Sequence, residues 1–136
     1  MNTKRIVLAG LAAGVLNLAL TLSMAFLVLL PDVRAQVERF QLQPPPYAPL
    51  TGVGMQLLIG IAVVWLYAAI RPRFGPGPRT AILAGLAVWF LAYLVHCELV
   101  VRLGISPLPM AAKMAVWGFF QMPVVALLGG WLYREE

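Results

Sequence analysis

The side chains that could do chemistry in this chain gather in one short stretch, "LVHCELVVRLG" at 94–104. It holds the sole histidine, His96, and the sole cysteine, Cys97, together with Glu98 and Arg102. Glu98 and Arg102 stand at i and i+4, the favourable order for an ion pair on one helix face. His96 and Glu98 are two residues apart, so in a regular helix they point about 200° apart and cannot share an ion. With no second histidine and no second cysteine, the composition offers neither a metal site nor a disulfide framework. A phosphate-cradling glycine loop, a Ser/His/Asp set and paired carboxylates are also missing from the sequence, and only five acidic residues occur. We therefore expect no catalytic, cofactor-binding or metal-binding residues and no enzymatic activity.

The elements that carry this stretch are apolar. Of 136 residues, 62% are hydrophobic and 11% charged, whereas a soluble domain is about half apolar and a quarter charged. Four runs approach or exceed the roughly 20 residues needed to cross a hydrocarbon core: about 6–30, 51–70, 80–103 and 108–133. Strand-like alternation is missing from them, which argues against a β-barrel. The first run is longer than the roughly 7–15 apolar residues of a secretion signal, so we read it as a retained helix. The expected fold is all-α: a polytopic bundle of four transmembrane helices in a single domain, 1–136, with an outer loop at 31–50.

Charge orients the bundle. Lys4 and Arg5 precede the first run, Arg71, Arg73 and Arg79 crowd the loop between the second and third, and Arg134 follows the fourth. On the other side, Arg34 and Arg39 are balanced by Asp32 and Glu38. The rule that basic loops stay inside then puts both termini in the cytoplasm. The formal net charge of +5 serves this orientation, and we expect no nucleic-acid partner. The segment "RPRFGPGPR" (71–79) is punctuated by Pro and Gly and cannot be helical throughout. In the outer loop, Val33, Val37 and Phe40 share one helical face, as on a short helix lying on the membrane, and the prolines at 44–46 then demand extended chain. A solvated linker is the alternative reading.

Two motifs recur. "VLAGLA" (7–12) returns as "ILAGLA" (82–87), and "WLY" (65–67) returns at 131–133. Two parallel copies of a helical hairpin, related by an axis along the membrane normal, would produce this order. Chance matches among Leu, Ala and Gly strings are the competing explanation.

With this orientation His96 and Glu98 lie in the outer third of the third span. Lys113 on the fourth span and Gln56 on the second fall at a similar depth. We expect one intramembrane polar layer of Glu98, Lys113, His96 and Gln56, with Arg102 near the interface. A lone charge at mid-membrane costs roughly 2.5–3.5 kcal/mol on insertion scales, so Glu98 is expected to pair with Lys113 or Arg102, or to be protonated. The layer reads either as a clamp between the third and fourth spans or as a site for protons or substrate. Deeper, Asn17 and Gln121 are the mid-membrane polar residues and could meet across the bundle. Pro123 is expected to free the Phe119 carbonyl and kink the fourth span. Gly10 and Gly14 form a small-xxx-small pair, suited to close helix packing within the bundle or against a second copy.

In "KRIVLAGLAAGVLN", "WLYAAIRPRFGPGPRTAILAGLAVW" and "WLYREE" the chain resembles an uncharacterised family of small bacterial four-helix integral membrane proteins. That resemblance implies a fold and a bacterial inner-membrane location, and no site residues. A looser similarity is to small multidrug exporters, alike in size and helix count. Those use a membrane-embedded glutamate in helix one, where this chain has Asn17, so that chemistry lacks its acid. The expected function is an accessory or structural subunit that contacts the lipid bilayer and packs as a homo-oligomer or within a larger membrane complex. The alternative is a small oligomeric transporter or channel gated at Glu98, His96 and Lys113.

Overall fold

The computed structural model describes residues 2–133; Arg134, counted above among the basic residues, lies outside them. The chain is an all-α, multi-pass membrane bundle. Helix α1 is Thr3–Leu27, α2 Leu30–Phe40, α3 Ala48–Phe74, α4 Pro78–Trp89, α5 Val95–Arg102 and α6 Leu108–Leu132, and one π-helical stretch, Phe90–Leu94, joins α4 to α5. Thus α4, the π stretch and α5 make one continuous span, Pro78–Arg102, and α1, α3 and α6 are the other three.

Local signals set the boundaries. The Asn2 side chain caps α1 by accepting from the Arg5 N–H at 3.2 Å. Pro31 occupies the first turn of α2 and Asp32 follows it, where a missing N–H and a negative charge are both favourable. Helix α2 stops at Gln41, which takes a left-handed conformation (φ 50°), and Leu42–Pro45 is non-helical. The second span begins three residues earlier than expected, at Ala48, and continues through Pro72 to Phe74. It ends at Gly75, whose φ of +82° few side-chain-bearing residues adopt.

Only about a third of each span is buried, 28–33%, so most apolar side chains face outward. Inside, small residues let backbones touch, as expected where lipid removes any hydrophobic drive between helices. The α1–α3 contact is the closest: a Cβ on Gly60 would collide with the backbone of Gly14, and one on Gly10 would lie 2.5 Å from Ile61 Cα. Gly10 and Gly14 therefore serve packing within this bundle. Helix α4 meets α6 at the proline turn, where a Cβ on Gly85 would lie 2.7 Å from the Met122 carbonyl oxygen. Helix α6 continues through Pro123 to Leu132. Ala13, Val63, Val64, Met122, Val125 and Ala126 are fully buried between the spans.

At the end where α1 and α4 begin, two tyrosines close the bundle. The Tyr67 and Tyr133 rings meet edge-on with centroids 6.3 Å apart. The Gly77 N–H, at the start of α4, donates to Tyr67 Oη at 3.3 Å. The Asn2 N–H, at the start of α1, donates to Tyr133 Oη at 3.4 Å. Asn2 and Gly77 each stand five residues before the recurring segments "VLAGLA" at Val7 and "ILAGLA" at Ile82, and each tyrosine ends a "WLY". The two contacts are thus the same contact made crosswise. We call this the terminal end, and the end carrying α2 and the 103–107 turn the far end.

Candidate functional site

The site is a neutral polar cluster to which all four spans contribute. Asn17 lies on the buried face of α1, three residues beyond Gly14, and is fully buried. Its Nδ2 donates to Gln56 Oε1 on α3 at 2.6 Å. Gln121 of α6 is also buried, and its Nε2 donates to Asn17 Oδ1 at 2.6 Å. The same amide nitrogen lies 2.9 Å from Thr21 Oγ1 and 3.3 Å from Tyr93 Oη. Amide donors therefore run in series from Gln121 through Asn17 to Gln56. Among the described residues Gln121 Oε1 is the buried side-chain oxygen without a partner.

Tyr93 arrives through the π stretch. The inward stripe of α4 is Ala81, Ala84 and Gly85, with Val88 next. Extended at 3.6 residues per turn it would turn Ala92 and then His96 inward. A π turn inserts one residue, and the buried positions are Tyr93 and Cys97 instead. The ring needs space on the facing helix, and Gly118 supplies it: a Cβ there would lie 2.6 Å from Tyr93 Cδ1. One turn earlier, Trp89 Nε1 donates to the Ala115 carbonyl at 2.8 Å and ties α4 to α6.

The structure disperses the expected outer layer. Lys113 does not pair with Glu98; its Nζ bonds Asp32 Oδ2 in the first turn of α2 at 2.7 Å. Gln36, one turn further along α2, lies 3.9 Å from Met110 Sδ on the same side. Glu98 pairs with Arg102 at 3.0 Å, and both side chains are more than half exposed. His96 is exposed on the outside of the span, as the π turn requires. Gln56 belongs to the deeper cluster, since α3 starts at Ala48 and puts it eight residues, about 12 Å, below that start. Sequence reasoning missed Tyr93 and Asp32. A tyrosine in an otherwise apolar run was the available signal for the first, and an acid in the first turn of an amphipathic helix for the second.

The chemistry of the cluster is narrow. Amides do not titrate near neutral pH, and no charged side chain is among the buried residues described. Nor do three His, Cys, Asp or Glu side chains converge among the described residues. What five such groups can do is hold helices in register, each hydrogen bond being worth about 0.6 kcal/mol in a membrane interior. Comparison of the chain with protein-family models, curated proteins and solved structures finds no match.

Proposed function

We propose that this is a non-catalytic integral membrane protein, an accessory or structural subunit that packs against itself or a larger membrane complex. The observation that carries the reading is the mid-span cluster: its side chains are neutral and joined by hydrogen bonds, and the Glu98–Arg102 and Asp32–Lys113 ion pairs lie at the far end, away from it. A transporter needs a polar route through the whole membrane, and between the cluster and the two tyrosines the buried residues are Ala, Val, Gly and Met, with Ile6 and Thr80 at the terminal end, where the Thr80 hydroxyl donates to the Gly75 carbonyl at 2.7 Å. Against the gate reading weigh the separate partners of Glu98 and Lys113 and the exposure of His96. In this reading the bundle is two parallel hairpins, supported by the crosswise tyrosine contacts, and sits in a bacterial inner membrane. Both termini are cytoplasmic, supported by the basic residues at the terminal end.

The test is the native mass and composition of the protein extracted gently from its own membrane. Stoichiometric foreign subunits, or a homo-oligomer inert in vesicle transport assays, are expected. A homo-oligomer that moves a solute, with the movement abolished by Asn17→Ala, would overturn the proposal.

A further inference from the structure

Beside the cluster, on the face turned to lipid, a groove of about 470 Å³ runs between α1 and α6. It is lined on α6 by Lys113, Val116, Trp117, Phe120, Gln121 and Val124, and on the other side by Leu20 of α1 and by Val28 just beyond its end. Val116, Phe120 and Val124 are 60%, 66% and 48% exposed, so the groove opens sideways into the bilayer. From Lys113 to Val124 it runs eleven residues, about 16 Å of helix. That is close to the thickness of one leaflet's hydrocarbon, roughly half of 30 Å.

The head of the groove is dipolar. Lys113 lines it and is bonded to Asp32, the lysine side chain 44% and the aspartate side chain 22% exposed. An ammonium has three donors and a carboxylate about four acceptor sites, so one mutual hydrogen bond leaves capacity on both. We propose that the groove holds one phospholipid of the far-end leaflet with a zwitterionic phosphoethanolamine head. Its phosphate accepts from Lys113, its ammonium donates to Asp32, and an acyl chain lies along Val116, Phe120 and Val124. An anionic head would meet the Asp32 carboxylate beside the same ammonium and gains less from the site.

The experiment is native mass spectrometry of the full chain released from nanodiscs made of equal parts phosphatidylethanolamine and phosphatidylglycerol. The wild type is expected to retain one lipid, with phosphatidylethanolamine favoured about fivefold, the factor that roughly one charge contact near a membrane surface supplies. Asp32→Asn leaves Lys113 as a bare cation and should turn the preference toward phosphatidylglycerol. Val116→Trp fills the groove from its lipid side without entering the core. It should lose the retained lipid while the thermal midpoint holds. No retained lipid in the wild type, equal retention by Val116→Trp, or a preference indifferent to Asp32→Asn would each overturn the proposal. So would a dimer carrying no lipid, which would make the groove a contact between copies.

Discussion

The middle of the bundle and its far end both hold polar side chains in an apolar chain, and they hold them by opposite means. At mid-span Asn17, Gln56, Thr21, Tyr93 and Gln121 are uncharged and bond one another across four spans. At the far end Glu98, Arg102, Asp32 and Lys113 are charged, and they pair two by two with partial exposure. The difference follows from depth. Desolvating an ion costs several kcal/mol even after relaxation, while a neutral amide costs less and its loss is offset by bonds to its neighbours. Packing divides the same way: in the interior, backbones touch at glycine, whereas at the far end Gly52, Gly54 and Gly104 face open space.

The largest effect should come from breaking that packing difference. Gly60→Ala drives a methyl into the Gly14 backbone, and a backbone cannot step aside as a side chain can. We expect about 2–3 kcal/mol of lost stability, as for overpacked cores, read as unfolding by added SDS in mixed micelles. Gly54→Ala, on the same helix with nothing within 4 Å of the new methyl, should gain up to about 0.5–1 kcal/mol from helix propensity. If the two variants behave alike, the close α1–α3 contact is wrong.

The polar half of the comparison is sharpened at Asn17. Asn17→Leu keeps the volume close and removes both the acceptor for Gln121 and the donor to Gln56. Gln121 keeps Thr21 at 2.9 Å and Tyr93 at 3.3 Å, so the loss is partial, about 1–1.5 kcal/mol, toward the upper end for interhelical bonds in membranes. The same SDS titration checks it. An unchanged midpoint would mean that the cluster contributes nothing to holding the spans together.

The four spans were legible in the sequence because about twenty apolar residues leave little choice in lipid. So was the meeting of Asn17 and Gln121, since both sit near the middle of long runs and so at a similar depth. The outer layer was not, for two physical reasons. The apolar run begins at Thr51, whereas α3, with Pro49 in its first turn, starts at Ala48, which sinks Gln56 by three residues. A regular helix implies one facing, and the π turn shifts every position beyond Phe90 by one residue. No pattern in "FLAYL" announces that shift; it is settled by the fit of the Tyr93 ring over Gly118, a contact between residues 25 positions apart. Lys113 likewise pairs with Asp32 of α2, 81 positions away, a tertiary contact that leaves no periodicity to read.

Glu98 is where the far end should prove least demanding. It was the residue most suggestive of chemistry, an acid in an apolar run. In the fold its side chain is 59% exposed and its partner Arg102 is 68% exposed. Exposed i, i+4 pairs contribute about 0.3–0.5 kcal/mol, and Arg102 freed of its acid can reach the interface along its own stem. Glu98→Gln should therefore shift the SDS midpoint by less than Asn17→Leu does, with a loss of no more than about 0.5 kcal/mol. Raising the salt should shrink even that difference, because screening acts on exposed charges within a Debye length of about 10 Å at 0.1 M. A loss equal to that of Asn17→Leu, or one insensitive to salt, would mean that Glu98 is held in a dry contact. The contrast between a neutral interior and a paired, wetted end would then fail at the residue where it is most exposed to test.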